Sequence, residues 1–268
     1  MPYTCSGYKF FEYDEIDSTN LEAKRYAQEI SARANQDTSL PQEKKDIPVF
    51  IAKYQTSGRG RLGRTFFSPE ETGLYMSLLL DIEENLIDTD LITPAAGVAV
   101  SRTIEALSQK EPKIKWVNDI YIDRKKVCGI LAEGIINQKE GKIFQVVLGI
   151  GINLFEPKNG FPEEISNIAT SLYGKKDEKS EKLKHQFVEK LLENLEKTLA
   201  SNNENQVMEE YKARSLVLGR EVTVITPQKQ YTATVKDITK KGHLVVEYTE
   251  DDLMKETELL SGEVSLKI

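Results

Sequence analysis

The chain contains 268 residues, 39% hydrophobic and 29% charged, enough for one large domain or a medium and a small one. Its formal net charge of −7 argues against a nucleic-acid-binding protein. The two cysteines and two histidines lack metal-ligand spacing, so no zinc site is expected, and two free cysteines suit a reducing cytoplasm. No signal peptide is recognised, and the longest apolar stretches, such as residues 74–80, are shorter than the roughly 20 residues that span a bilayer.

The first 217 residues show strand and helix patterns in alternation. A helical pattern runs from residue 21 to about residue 30, and the capping-box spacing of Thr19 and Glu22 predicts that the helix begins at this turn. Residues 32–46 are polar and predict a surface loop, whereas the apolar residues 73–81 predict a strand buried on both faces. The other predicted strands are 8–13, 48–54, 113–117, 120–123, 127–136 and 143–154, and the other predicted helices are 91–107, 183–199 and 206–214.

The C-terminal part of the chain has a different pattern. Short β-rich runs, separated by turn residues, occupy 221–225, 231–236, 244–248 and 262–266. We therefore predict an α+β fold with two domains. Residues 1–217 would form a mixed β-sheet domain with helices on one face, and residues 218–268 a small β-barrel.

The loop at residues 58–64 reads Gly-Arg-Gly-Arg-Leu-Gly-Arg. Glycine lets backbone N–H groups approach a ligand closely, and arginine offers a fixed fork of donors that matches phosphate and carboxylate oxygens. The loop is not a P-loop, because the Gly-Lys-Ser/Thr ending is missing. These residues predict an anion-binding loop, although an exposed basic loop that contacts only solvent or nucleic acid fits the same residues.

Four other patterns allow both a functional and a purely structural interpretation. The sequence Asp-Ser-Thr-Asn at 17–20 could hold a small polar group or cap a helix, and Asn118-Asp119 could be ordinary turn chemistry. Lys126, directly before a predicted buried strand, could direct its ammonium into a pocket, or it could belong to a solvated charge run. Gly-Ile-Gly-Ile-Asn at 149–153 permits close approach of a ligand to the backbone, or a β-bulge.

These patterns occur together in a fixed order. Ser-Thr-Asn at 18–20, Gln55 with the Gly-Arg-Gly-Arg loop, Lys-Trp-Val-Asn-Asp at 115–119, Lys126 followed by Gly-Ile-Leu, and the 149–153 segment together resemble the biotin protein ligase family. The resemblance extends from about residue 10 to residue 266. It includes Gly-Glu-Val-Ser-Leu at 262–266, which is similar to the closing strand of that family's small SH3-like domain.

The resemblance implies an activity. Members of the family use ATP and Mg²⁺ to convert biotin to an adenylate, biotinyl-5'-AMP, with release of pyrophosphate. They then transfer biotin to one lysine of the biotin carboxyl carrier domain of a carboxylase. For this chain the resemblance implies a cytoplasmic ligase that is a monomer or homodimer and binds neither DNA nor a membrane; it leaves the metal ligands unassigned.

The resemblance also assigns roles to individual residues. The catalytic group would be Lys126, Arg61 and Asp119. The biotin-binding group would be Ser18, Thr19, Asn20, Gln55, Arg59, Gly60, Arg61, Lys126, Gly129 and Leu131. The nucleotide-binding group would be Arg59, Arg61, Lys115, Asn118, Lys126 and Asn153. Chemically, the cations would offset the repulsion between a biotin carboxylate and the ATP phosphates.

The sequence departs from the family pattern at several positions. Val117 stands where proline is common, Phe66 where tryptophan is frequent, and Leu62 interrupts the basic loop. Some family members begin with a winged-helix DNA-binding domain; here the pattern starts near Tyr8, so we expect a ligase only. Three alternatives stay open: a lipoate or octanoate ligase of the related fold, a nucleic-acid-binding protein that uses the basic loop, and a biotin sensor without catalysis.

Overall fold

The computed structural model describes residues 2–34, 46–82, 86–137, 141–226, 229–260 and 262–266. Most of the predicted surface loop 32–46 lies outside these residues. The strands are β1 (Tyr8–Ile16), β2 (Ile47–Gln55), β3 (Gly73–Asp81), β4 (Lys113–Lys115), β5 (Asp119–Ile122), β6 (Lys125–Asn137), β7 (Lys142–Asn153), β8 (Glu221–Ile225), β9 (Gln230–Ile238), β10 (Leu244–Glu250), β11 (Leu253–Leu259) and β12 (Glu263–Leu266). The α-helices are α1 (Thr19–Ala34), α2 (Ile92–Ser108), α3 (Glu163–Ser166), α4 (Ser180–Leu199) and α5 (Glu204–Ala213).

The chain divides into two compact units, each built from two segments. The first unit comprises residues 1–84 and 125–190, and the second comprises residues 85–124 and 191–268. None of the described helices has both the length and the apolar composition that crossing a bilayer requires.

A mixed β-sheet forms the centre of the first unit. Its strands lie in the order β1-β2-β3-β7-β6. The β1–β2 pair is parallel, and the other pairs are antiparallel. This arrangement confirms the predicted mixed sheet. Strand β3 is buried along Gly73–Leu80, as its continuous apolar sequence predicts for a strand covered on both faces.

Helix α1 covers one end of one face of this sheet. Its small residues Ala23 and Ala27 pack against Phe50, Leu79 and Val147 on three neighbouring strands. Alanine has almost no side chain, so the helix backbone approaches the sheet closely, and burial of these side chains drives the packing. The N-terminus of α1 therefore has a fixed position on the sheet.

The second unit is built around α2. This helix is buried over most of its circumference, including Ala95, Ala96 and Val98. The side chains of Ile114 and Tyr211 lie against the helix at Gly97, where a Cβ would be in ordinary van der Waals contact with them, at 3.5 and 3.7 Å. The β4–β5 hairpin and α5 are thereby packed on one helix.

The C-terminal strands form an antiparallel sheet in the order β11-β10-β9-β8-β12. The prediction of a small β-rich C-terminal structure is confirmed, but the described residues form an open sheet and not a closed barrel. Closure requires the two edge strands to pair with each other. Within the described residues β12 pairs with β8 along its four residues, β11 pairs with β10, and each has a partner on one side only.

A buried lysine in α4 gives the stability of the protein a pH dependence. Burial lowers the pKa of Lys184 from 10.5 to about 8, although the nearby Glu181 carboxylate acts in the opposite direction. Between these two pH values the unfolded chain holds a proton that the folded chain releases. Stability therefore rises with pH across this window, and below about pH 8 the full cost of burying the ammonium is present.

We predict that Lys184→Met raises the free energy of unfolding at pH 7 by about 1–3 kcal/mol, because methionine fills similar space without a charge. This gain in the free energy of unfolding should disappear as the pH approaches 11. Urea denaturation at pH 7 and at high pH measures the free energy of unfolding. Lys182→Met, at an exposed position of the same helix, is the matched control. A destabilised Lys184→Met protein at pH 7 would contradict the prediction.

Candidate active site

Three glycines form a flat surface on the face of the first unit's sheet that also carries α1. Gly129 in β6 lies directly opposite Gly151 in β7, and Gly149 lies opposite the predicted site residue Leu131. The Phe66 ring covers part of this surface: a Cβ on Gly151 would be 2.7 Å from the ring, and one on Gly129 would be 3.3 Å from it. We name Gly129, Gly149 and Gly151 the glycine floor.

The N-terminus of α1 stands beside the glycine floor with its polar side chains buried. Ser18, Thr19 and Asn20 are 1%, 4% and 5% exposed. Thr19 donates from its backbone N to Gln55 Oε1 over 2.8 Å, and its hydroxyl lies 3.2 Å from the same oxygen. Gln55 Nε2 in turn donates to Ser68 Oγ over 2.9 Å. The fold therefore brings four predicted site residues, Ser18, Thr19, Asn20 and Gln55, into one buried group.

The helix begins at Thr19, as predicted, but a distant residue satisfies its first amide. A helix leaves its first N–H groups without partners inside the helix, and Gln55 accepts one of them here. Glu22 does not complete a capping box: its Oε1 accepts from the Tyr13 hydroxyl at 3.1 Å and its Oε2 from Arg25 at 2.7 Å. The Thr19 hydroxyl is thus directed to the site and away from its own helix.

Two residues that the sequence interpretation did not identify extend this group: Ser77, which is buried, and Glu133, which is half-buried. Ser77 Oγ lies 2.8 Å from Thr19 Oγ1 and 2.6 Å from Asn20 Oδ1. Asn20 Nδ2 donates to Glu133 Oε2 over 2.8 Å. Ser77 could have been noticed as the one polar residue in the apolar run 74–80. We name Thr19, Asn20, Gln55, Ser77 and Glu133 the polar wall.

Glu133 is an ionised member of the polar wall. Burial raises the pKa of its carboxyl, but hydrogen bonds from Asn20 and Lys24 and the charges of Lys24 and Arg59 together hold it below its ordinary value. Lys24 Nζ is 2.7 Å from Glu133 Oε1. The carboxylate is therefore a permanent acceptor at neutral pH.

The glycine–arginine loop folds back on itself as a short hairpin. Gly60 N donates to Arg64 O over 2.8 Å, and Arg59 forms a β-bridge with Thr65. Leu62, at its tip, has a positive φ of 55° and is 73% exposed. Arg59 is exposed and Arg61 half-buried, so the loop presents guanidinium groups at the surface of the unit.

Lys126 lies over the glycine floor. A Cβ on Gly129 would be 3.2 Å from the Lys126 Nζ atom. The Lys126 backbone is fixed on both sides, because its N donates to Ile168 O over 2.7 Å and its O accepts from Thr170 N over 2.9 Å. Asn153 Nδ2 donates to Thr170 O over 3.1 Å. Lys126 and Asn153, both predicted site residues, are thus anchored to the same segment, residues 168–170.

Three predicted residues, Lys115, Asn118 and Asp119, lie in the second unit. Lys115 pairs with Asp119 across the β4–β5 turn. The Trp116–Val117 peptide bond in this turn is cis. Trp116 Nε1 donates to Gly242 O over 2.9 Å, and the Tyr211 hydroxyl donates to Val117 O over 2.9 Å. The turn is therefore anchored to α5 and to the loop between β9 and β10.

The 14 predicted site residues thus fall into two groups. Eleven lie in the first unit and three in the second unit. Among the described residues no cluster of three or more His, Cys, Asp or Glu could hold a metal ion. Mg²⁺ often binds through only one or two protein oxygens together with substrate phosphates, so this composition is compatible with magnesium that is bound with a nucleotide.

The site in the first unit has the composition of a small-molecule pocket. It combines a backbone floor, a buried hydrogen-bonding wall, a lysine over the floor and a nearby arginine loop. Residues 25–153 match the biotin/lipoate A/B protein ligase family, and residues 217–267 match the biotin protein ligase C-terminal domain. The chain is 30% identical over 213 residues to biotin–[acetyl-CoA-carboxylase] ligase of Mycobacterium tuberculosis, covering 75% of this chain and 74% of that protein. The chain therefore belongs to the biotin protein ligase family.

Other relatives are more similar over shorter segments. The bifunctional ligase/repressor BirA of Bacillus subtilis is 43% identical over 124 residues, which are 46% of this chain and 38% of that protein. This chain therefore spans well under half the length of the BirA relatives that it matches. Among solved structures, biotin protein ligase from Aquifex aeolicus in complex with biotin and ATP has a TM-score of 0.65 and 28% identity, covering 96% of this chain and 97% of that one. A mutant of the same Aquifex aeolicus protein in complex with biotin has a TM-score of 0.68 and 28% identity, covering 97% of this chain and 99% of that one.

Proposed function

We propose that the protein is a biotin protein ligase that forms biotinyl-5'-AMP from biotin and ATP and transfers biotin to a lysine of a biotin carboxyl carrier domain. The observation that carries the proposal is the buried polar wall beside a glycine floor over which the Lys126 ammonium lies. Biotin has a polar ureido ring at one end and a carboxylate at the other. The polar wall can form hydrogen bonds with the ureido ring, and the Lys126 ammonium can pair with the carboxylate.

In the adenylation step a biotin carboxylate oxygen attacks the α-phosphorus of ATP and pyrophosphate leaves. Two anions meet, so the step needs cations that are already in position. We assign this role to Lys126, Arg59 and Arg61, while Asn153, Lys115 and Asn118 contact the nucleotide as the family resemblance implies. If Mg²⁺ is bound, it would be held mainly by the triphosphate and would supply further charge neutralisation to the leaving pyrophosphate.

In the transfer step the neutral amine of the carrier lysine attacks the acyl carbon of biotinyl-AMP, an amide forms, and AMP leaves. The ammonium must first lose a proton, and we assign its acceptance to Asp119. A carboxylate is a weak base for an amine, so Asp119 also acts by attracting the ammonium. The two-step reaction requires no covalent bond between biotin and the enzyme.

A labelling assay tests the proposed function directly. Purified protein is incubated with ATP, Mg²⁺, radiolabelled biotin and a biotin carboxyl carrier domain, and the carrier is expected to become labelled. A carrier whose acceptor lysine is replaced by arginine is the negative control. Label from lipoate or octanoate and none from biotin would favour the lipoate ligase alternative. Binding of biotin without any label on the carrier would favour a sensor.

The glycine–arginine loop at residues 58–64 is expected to retain biotinyl-AMP in the site. Because Arg61 is half-buried in the loop hairpin, its guanidinium can hold an adenylate phosphate while the loop backbone excludes water. We predict that Arg61→Gly raises the release of free biotinyl-AMP by about tenfold, the effect of losing roughly 1.4 kcal/mol of binding. Thin-layer chromatography of the labelled product measures the release. Exposed Arg64→Gly, in the same hairpin, is the control, and equal release from both variants would contradict a specific role of Arg61.

A further inference from the structure

The polar wall ends at a carboxylate. Glu133 Oε2 accepts a hydrogen bond from Asn20 Nδ2 at 2.8 Å, and Glu133 Oε1 pairs with Lys24 Nζ at 2.7 Å. An ionised carboxylate can only accept hydrogen bonds. The Asn20 carboxamide must therefore present its NH₂ group to Glu133, and this fixes its carbonyl oxygen on the side of Ser77.

The direction of the next hydrogen bonds follows from proton counting. The Ser77 hydroxyl has one proton and lies 2.6 Å from Asn20 Oδ1. Once that proton is donated to Asn20, the Thr19 hydroxyl proton has two oxygens within reach, Ser77 Oγ at 2.8 Å and Gln55 Oε1 at 3.2 Å. The Thr19 proton is therefore used inside the polar wall in either case. The other protons run in one direction, from Ser77 to Asn20 to Glu133. The Thr19 oxygen retains its lone pairs, and Gln55 Oε1 still accepts the Thr19 backbone N–H at 2.8 Å.

We propose that Glu133 is a positioning residue that sets the direction of this hydrogen-bond chain and so makes the Thr19 hydroxyl an acceptor for an N–H group of the ligand. The inference rests on the proposed function, because the ureido ring of biotin supplies such N–H groups. Glu133 acts through Asn20 and Ser77 and not by touching the ligand. Although burial raises the pKa of this carboxyl, hydrogen bonds from Asn20 and Lys24 outweigh that effect and hold the pKa below its ordinary value, so the carboxylate stays in the accept-only form throughout the neutral range.

The glycine floor supports this assignment. A Cβ on Gly149 would overlap the Asn20 carboxamide oxygen and carbon, so Asn20 is held tightly between Gly149, Ser77 and Glu133. A carboxamide in this position cannot swing aside. Its remaining freedom is a flip that exchanges oxygen and nitrogen, and the carboxylate of Glu133 prevents that flip.

Glu133→Gln is the primary test. Glutamine keeps the shape but can either accept or donate, so the Asn20 flip is no longer prevented. In isothermal titration we expect the Kd for biotin to rise about ten- to a hundredfold, the range for a lost hydrogen bond involving a charged group. In steady-state kinetics the KM for biotin should rise while the KM for ATP and kcat stay within about threefold.

Lys24→Met is the matched control, because it removes the ion pair and leaves the carboxylate and its bond to Asn20. Its Kd for biotin should stay within about threefold of the wild-type value. Equal weakening by Lys24→Met and Glu133→Gln would assign Glu133 to ion-pair stability alone and overturn the inference. If Glu133→Gln does not fold, Glu133→Asp, which keeps the charge but is too short to reach Asn20, should show the same loss of affinity.

A double-mutant cycle with Ser77→Ala shows whether Glu133 acts through the hydrogen-bond chain or through its packing against neighbouring residues. Removal of the Ser77 hydroxyl interrupts the hydrogen-bond chain, so adding Glu133→Gln should then weaken binding by less than about threefold. Fully additive effects would overturn the inference. If the wild-type protein binds no biotin, the proposed function itself fails. If the wild-type protein binds biotin and Glu133→Gln binds it equally well, only the role of Glu133 fails.

Discussion

Replacement of Lys126 by methionine is expected to slow the formation of biotinyl-AMP by about 100- to 1000-fold, the usual effect of removing one group that stabilises transition-state charge. Methionine has a similar length and fills the space over Gly129. The hydrogen bonds of residue 126 to Ile168 and Thr170 involve only backbone atoms, so they remain. The variant should therefore keep its fold and lose one positive charge at the site of adenylation.

Pyrophosphate release, measured in the presence of biotin and ATP without a carrier, reports this step alone. Lys125→Met is a matched control, because the neighbouring ammonium donates to Ser166 O at 3.0 Å and has no assigned role in the reaction. Its rate should stay within about threefold of the wild-type rate. A normal rate in Lys126→Met, or an equal loss in both variants, would contradict the assignment of the α-phosphate contact to Lys126.

The main elements of the fold could be predicted because they depend on local pattern. The apolar run of β3 and the start of α1 at Thr19 are visible in the sequence, and both agree with the structure. The segment 149–153 also predicts close approach of a ligand to the backbone, with a β-bulge as the alternative, and the family resemblance places Gly129 in the biotin site. The partners of the three glycines of the floor could not be predicted, because the sequence does not show that Phe66 covers two of them.

The components that the sequence missed depend on contacts between distant residues. Ser77 and Asn20 are 57 positions apart, and Asn20 and Glu133 are 113 positions apart. A serine in a buried strand and a glutamate inside a long strand have no local signature of function. Gln55 replaced the expected local cap of α1 for the same reason: a buried acceptor 36 positions away reaches the first amide. Likewise, turn residues can predict short strands but not whether the edge strands of a sheet meet.

Gly149→Ala is expected to weaken biotin binding by more than about a hundredfold, because the added methyl group would occupy the position of the Asn20 carboxamide. Asn20 must then move and lose its bonds to Ser77 and Glu133, which together contribute on the order of 3 kcal/mol to the ordered site. Overpacking costs a further 1–3 kcal/mol of folding stability, approximately, according to mutational series in buried sites. Isothermal titration and thermal denaturation measure the two effects separately.

Two further variants show whether the methyl group acts through Asn20. Gly174→Ala should leave both affinity and stability unchanged, because a Cβ at that position has no atom within 4 Å. Adding Asn20→Ala to Gly149→Ala should relieve the overlap and restore folding stability while affinity stays low, since the hydrogen-bond chain from Thr19 to Glu133 is still interrupted. If the double variant regained affinity, the glycine floor would matter for space alone and Asn20 would have no part in binding. If it regained neither stability nor affinity, the methyl group would have to act on a neighbour other than Asn20.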